Sequence, residues 1–241
     1  MNIVWFDTLD STNHYCELLD MNDVEEFTVI AAREQTAGRG QRGNHWVSAV
    51  GENLTFSIVL KPVFLPPLRQ FELTKAVSLG IVDALEAMGI GGIFIKWPND
   101  IYVGDRKICG TLIANTITGG QFAVAVCGIG LNVNQTKFGP EAGRPTSLRL
   151  LTRTKADLNT TLTYLISSIE RRYEMLRQNG ENEIDKEYLN RLYQCGIAAR
   201  YRHDGQGITA IITGVSPTGQ LMLRTDEGRE LSCAMKEIEF L

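Results

Sequence analysis

Residues 35–46 read Gln-Thr-Ala-Gly-Arg-Gly-Gln-Arg-Gly-Asn-His-Trp, a segment with three glycines and two arginines. Glycine lets a backbone come close to a ligand, and guanidinium forks match phosphate or carboxylate oxygens. Gly38, Gly40 and Gly43 have the spacing of a dinucleotide-binding turn, but that turn must open a helix whose N-terminus faces the pyrophosphate. Residues 46–60 read as strand instead, with Gly51 inside. No Gly-Lys-Ser/Thr follows, so the other common phosphate loop is excluded too. Two readings remain: an anion-binding loop carried by Arg39 and Arg42, or a solvated turn. Trp46 is either a core side chain or a flat surface for a base or ring.

A second segment, Lys96-Trp97-Pro98-Asn99-Asp100, sets two polar side chains between apolar runs. There they need partners or a ligand. Pro98 breaks the strand, and Gly104-Asp105 predicts a tight hairpin that folds Lys107 back beside Asp100. A carboxylate and an ammonium then share one neighbourhood, as a structural ion pair or as part of a site. In Cys127-Gly128-Ile129-Gly130-Leu131-Asn132 the alternate glycines fit a tight bend, which the pattern alone favours, or a floor for a flat ligand. No Ser/His/Asp or Cys/His constellation is evident, so covalent catalysis by the protein has little support.

These positions need a scaffold. Strand-like runs occur at 3–6, 28–33, 54–60, 93–96, 101–103, 107–114 and 121–129, separated by turn residues. Tyr15 to Leu19 reads as a short helix capped by Ser11 or Thr12. Leu68 to Met88 keeps helical spacing up to Gly89. A long helix is expected from Thr154, in a capping box with Asp157, to Gly180, and a shorter one at 184–192. From Gly196 onward, short β segments between Gly, Asp and Pro turns predict a small appended barrel. The division falls at residues 1–194 and 195–241.

The chain has 241 residues, 24 basic and 28 acidic, for a net charge of −4, and it is 44% apolar. That composition excludes a disordered chain and argues against a general nucleic-acid coat. The longest apolar run, Phe122 to Leu131, falls far short of the roughly 20 residues that a membrane helix needs. No signal peptide is read at the N-terminus. Five scattered cysteines without a C-x-x-C pair suggest reduced thiols in the cytoplasm, and three dispersed histidines make a zinc site improbable, so no metal ligands are assigned.

Together these segments resemble the catalytic region of biotin protein ligases. The family's Ser-Thr-Asn is matched by Ser11, Thr12 and Asn13, and its Gln-x-x-Gly-Arg-Gly-x-x-Gly loop by Gln35, Gly38, Arg39, Gly40 and Gly43. Its Lys-Trp-Pro-Asn-Asp is residues 96–100, its Arg/Lys-Lys-Ile/Leu-x-Gly is Arg106, Lys107, Ile108 and Gly110, and its Gly-x-Gly-x-Asn is Gly128, Gly130 and Asn132. The resemblance implies an α+β fold, a mixed β-sheet packed with helices of the class II synthetase-like kind, plus a C-terminal barrel of the Src-homology-3 type. It implies activation of biotin by ATP to biotinyl-5′-AMP and transfer to a lysine of a biotin carboxyl carrier domain of acetyl-CoA carboxylase.

By the same resemblance Lys107 and Arg39 are catalytic. Ser11, Thr12, Asn13, Gln35, Gly38, Arg39, Gly40, Gln41, Lys107, Gly110, Gly128 and Gly130 hold biotin. Arg39, Arg42, Trp46, Asn99, Asp100, Lys107 and Asn132 hold the nucleotide, with Mg²⁺ arriving on it. A flexible 38–46 loop would order over the intermediate and exclude water. Many relatives carry arginine at the positions of Gln41 and Asn44, which implies a loop that grips the adenylate less tightly. The motifs begin within a dozen residues of Met1, so no DNA-reading element and no DNA partner are expected, nor a membrane; a homodimer is left open. The alternatives are a lipoate or octanoyl ligase or transferase, and a non-catalytic biotin-binding module.

Overall fold

Residues 28–32, Thr-Val-Ile-Ala-Ala, are all buried, as a strand covered on both faces requires. The computed structural model describes residues 2–241, apart from the side chains of Arg42 and Glu141. It runs β1 (Asn2–Leu9), α1 (Thr12–Glu17), β2 (Thr28–Gln35), β3 (Leu54–Leu60), α2 (Gln70–Ala87), β4 (Ile93–Lys96), β5 (Asp100–Val103), β6 (Arg106–Thr118), β7 (Gln121–Leu131), α3 (Leu148–Thr152), α4 (Leu158–Arg177) and α5 (Glu181–Arg191). Then come β8 (Ala198–His203), β9 (Gln206–Val215), β10 (Leu221–Thr225), β11 (Glu230–Cys233) and β12 (Ile238–Phe240).

The first seven strands form one mixed sheet, ordered β1-β2-β3-β7-β6-β5-β4, in which only β1 and β2 run parallel. Helices α2, α4 and α5 cover one face. Gly80 of α2 lets the two long helices close, since a Cβ there would come within 3.0 Å of the Ile169 backbone on α4. Arg172 of α4 ties the three helices together, donating to Asp83 of α2 at 2.7 and 2.9 Å and to Glu187 of α5 at 2.6 and 2.9 Å. Arg172→Met leaves the largely buried Asp83 with Arg171 alone, at 2.9 Å, and takes both donors from the part-exposed Glu187. It is expected to cost about 2 kcal/mol in urea unfolding, with catalysis unchanged at temperatures where the variant is folded.

On the other face α1 covers a small cluster of Cys16, Ile30, Val59, Val124 and Val126, and Trp46 of the 38–46 segment lies on Gly130 beside it. The last five strands form an antiparallel sheet, β11-β10-β9-β8-β12. It stands where the small barrel was expected, although among the described residues no pairing joins β11 to β12. Its core residues, such as Tyr201, Ile212 and Leu223, are continuous with the main core. No helix of the described residues is long and apolar enough to cross a membrane.

Some expectations move. Residues 46–53 are not strand; β3 starts at Leu54. The long helix begins at Leu158, with Asp157 itself as its cap, accepting from Thr160 N at 2.8 Å. The residues before it instead hold α3, capped by Ser147, because a hydroxyl immediately before Leu-Arg-Leu-Leu offers an equally good start.

Candidate active site

One row of paired residues crosses the α1 face of the main sheet: Lys96, Asp100, Gly110, Gly130, Thr55 and Ala32, on β4, β5, β6, β7, β3 and β2 in turn. The next row is Leu112, Gly128, Ser57 and Ile30. Successive strand residues alternate faces, so both rows point away from the helices. Gly110, Gly128 and Gly130 in the middle of these rows let Lys107, Asn13 and Trp46 lie close against the sheet, and together they line a cavity of about 240 Å³.

Lys107 reaches this face through a bulge. Between β5 and β6 the register slips so that Tyr102 faces Lys107 while Ile101 faces Cys109. The extra residue re-aims Lys107, which strict alternation would have sent into the core with Cys109. Its ammonium lies 2.7 Å from Asp100 Oδ1. Its backbone is pinned at both ends, with Lys107 N donating to Arg144 O at 2.8 Å and Thr146 N donating to Lys107 O at 2.8 Å.

The polar end of the cavity is built around α1. Gln35 Oε1 accepts from Thr12 N at 2.7 Å and from Thr12 Oγ1 at 3.2 Å. Asn13 Nδ2 donates to Leu112 O at 3.1 Å. The Ser57 hydroxyl lies 2.7 Å from Thr12 Oγ1 and 2.6 Å from Asn13 Oδ1. Gly128 must be glycine because the Asn13 carboxamide lies where a Cβ would be, and Gly130 because the Trp46 indole does. Trp46 thus forms a wall on the floor, its ring centre 5.6 Å from the Lys107 ammonium, and its buried Nε1 has no partner. Asn99 Nδ2 is bound to Thr111 O, which fixes the turn into β5.

The cavity brings together Ser11, Thr12, Asn13, Gln35, Arg39, Gly40, Gln41, Trp46, Asn99, Asp100, Lys107, Gly110, Gly128 and Gly130. Arg39 stands at the rim, where its guanidinium contacts both Glu17 oxygens at 3.2 Å. Arg42's side chain lies outside the described residues. Two expected residues do not line the cavity. Asn132 is buried, with Nδ2 donating to Thr146 O at 3.0 Å, so it steadies the segment that pins Lys107. Gly38 lies under the Trp46 carbonyl and receives the Trp46 N–H at 3.0 Å. Residues 38–46 therefore form a small hairpin, with an Arg39–His45 bridge. Gly38 and Gly40 there serve close backbone approach rather than looseness.

Sequence reasoning missed Ser57 and Met235. Ser57 is an unremarkable serine inside an apolar strand, and Met235 reaches the cavity from the turn between β11 and β12. A polar residue in a run that is buried on both faces was the available signal for Ser57; none existed for Met235.

Residues 5–132 match the Biotin/lipoate A/B protein ligase family. The chain is 32% identical over 209 residues to the biotin–[acetyl-CoA-carboxylase] ligase of Paracoccus denitrificans, covering 84% of this chain and 86% of that one. It is 28% identical over 230 residues to the bifunctional ligase/repressor BirA of Bacillus spizizenii, covering 94% of this chain and 70% of that one. In structure it is similar to the biotin protein ligase of Aquifex aeolicus in complex with biotin and ATP. The TM-score is 0.83 at 25% identity, covering 100% of this chain and 98% of that one.

Proposed function

This chain belongs to the Biotin/lipoate A/B protein ligase family, and we propose that it activates biotin with ATP and transfers it to a lysine of a carboxylase carrier domain. The observation that carries this is the cavity between Lys107–Asp100 and the Ser11–Asn13 cap, walled by Trp46. It offers a flat ring system polar partners at one end and a cation at the other.

In the first step a biotin carboxylate oxygen bonds to the α-phosphorus of ATP, the bond to the bridging oxygen breaks, and pyrophosphate leaves. Two anions must meet, so what helps is fixed positive charge and alignment rather than a protein nucleophile. Lys107, held by its backbone and by Asp100, offers an ammonium at that junction, and Arg39 exchanges Glu17 for the ligand's oxygens. In the second step the carrier's neutral lysine amine attacks the acyl carbon, AMP departs with the bonding pair, and the amine's proton passes to solvent. Ser11, Thr12, Asn13 and Gln35 hold the ureido ring, and Gly110, Gly128 and Gly130 seat Lys107, Asn13 and Trp46 around the bicycle and its chain. Asn99 and Asp100 face the nucleotide.

Mg²⁺ would arrive on the nucleotide, whose phosphate oxygens are its ordinary ligands. The five thiols are unpaired, which suits a reducing compartment, and we place the protein in the cytoplasm.

Incubation with biotin, Mg-ATP and a carrier domain should add the mass of one biotinyl group to the carrier. Biotin binding without transfer would support the binding-module alternative, and transfer of lipoate in preference to biotin the other. Ser57→Ala removes the hydroxyl that Thr12 and Asn13 share. It should raise the KM for biotin several-fold, worth about 1 kcal/mol, while the KM for ATP stays put in steady-state assays.

A further inference from the structure

Lys96 and Asp100 are directly paired residues of neighbouring antiparallel strands, the arrangement in which opposite charges ordinarily meet. They do not meet here. Asp100 takes Lys107 instead, and Lys96 has no carboxylate partner among the described residues. Its ammonium lies among three aromatic rings, 5.0 Å from the centre of Tyr102, 5.8 Å from Tyr193 and 4.8 Å from Phe240. Tyr102 comes from β5, Tyr193 from the segment after α5, and Phe240 from β12 in the second sheet. The rings touch one another in sequence, Tyr102 to Tyr193 to Phe240, with centres 5.9 and 6.4 Å apart. The nearby carboxylate of Asp105 is taken by Arg144 at 2.6 Å.

Such a cage has an energetic cost. Burial pulls the Lys96 ammonium below the usual lysine range even though Asp100 favours its charge. Aromatic faces return part of the lost hydration by cation–π attraction.

The cage answers a question that the ligase reading raises. A Lys107–Asp100 pair alone is neutral, so Asp100 weakens the field that the Lys107 ammonium sets on the two anions of the adenylation step. With Lys96 behind Asp100, the three groups carry one net positive charge, and Lys107 is left to face the ligand. We propose that Lys96 is a positioning residue that offsets Asp100 on Lys107's behalf, and that Phe240 lets the C-terminal sheet hold it in place. This inference rests on the adenylation reading above.

The test is biotin-dependent exchange of pyrophosphate into ATP by the full chain. Lys96→Met should lower kcat for exchange about tenfold, less than loss of a donor that touches the reacting atoms. Biotin affinity without nucleotide, measured by calorimetry, should change less than about threefold, since a neutral recognition of the ring dominates it. Lys96→Arg should retain most of the rate, because a guanidinium also stacks on aromatic faces. Phe240→Leu should lower kcat in the same direction, and in the Lys96→Met background it should lower it no further.

Wild-type kcat in Lys96→Met, or losses from Lys96→Met and Phe240→Leu that multiply, overturns the inference. The Lys96→Met and Lys96→Arg pair decides it even if Phe240→Leu does not fold. If the unaltered protein exchanges no pyrophosphate, the ligase reading itself falls; if it exchanges and Lys96→Met matches it, only this inference does.

Discussion

Lys107→Ala should lower biotin-dependent pyrophosphate exchange by about 10²- to 10³-fold while leaving the melting temperature almost unchanged. The side chain is about one-third exposed, so its loss opens no core cavity. The backbone hydrogen bonds to Arg144 and Thr146 do not involve the side chain and survive the substitution. What disappears is the only ammonium on the cavity floor among the described residues, at the point where carboxylate and phosphate oxygens must approach. Lys96 and Asp100 then carry no net charge between them, and the ammonium that faced the two anions is gone. The loss should therefore appear in kcat as well as KM, and single-turnover adenylate formation separates the two. Exchange within a fewfold of normal would sink the role given to Lys107.

Gly130→Val should abolish useful biotin binding, weakening it by about 10²-fold, without unfolding the chain. Valine suits a central strand, and Gly130 is paired with Gly110 and Thr55 on either side. Its Cβ, however, would come within 3.0 Å of the Trp46 indole. The indole would have to lift from the floor, and the 38–46 hairpin would lift with it because Trp46 N is bound to Gly38 O. Calorimetry with biotin reads the binding loss, and a thermal melt shows whether the fold persists. Near-normal affinity would mean that the indole moves at little cost and that the glycine answers to strand packing alone.

The chemistry-bearing residues were legible where local rules sufficed. Gly104-Asp105 marked a two-residue turn, and a hairpin of that kind sets Lys107 opposite Tyr102, within two strand positions of Asp100. The alternate glycines of β7 favoured a tight bend by pattern, with a floor as the alternative, and they lie inside a continuous strand with both on one face. Local rules stop at the bulge near Ile108, which decides which face Lys107 takes and leaves no signature in the residue types. They also stop at partners that are distant in sequence. The Arg39–Glu17 pair, the Met235 contact and the aromatic cage on Lys96 arise from tertiary placement alone. Asn132, likewise, is buried with its amide on Thr146 O, a partner fourteen residues away that no local rule points to.

The row across the main sheet also constrains when a site can exist during synthesis. Strand β7 lies between β3 and β6 although it follows both in sequence, so it must enter the middle of the sheet after its two neighbours have left the ribosome. Until then Thr55 and Gly110 have nothing to hold them at the right separation, and half the floor is absent. A nascent chain that ends before Gly128 carries the Ser-Thr-Asn cap, the arginine loop and Lys107, yet has no place for biotin. Insertion of a central strand makes long-range contacts that form late and slowly. Ligand capture thereby becomes a report on completion: a chain that holds biotin has already closed its central sheet.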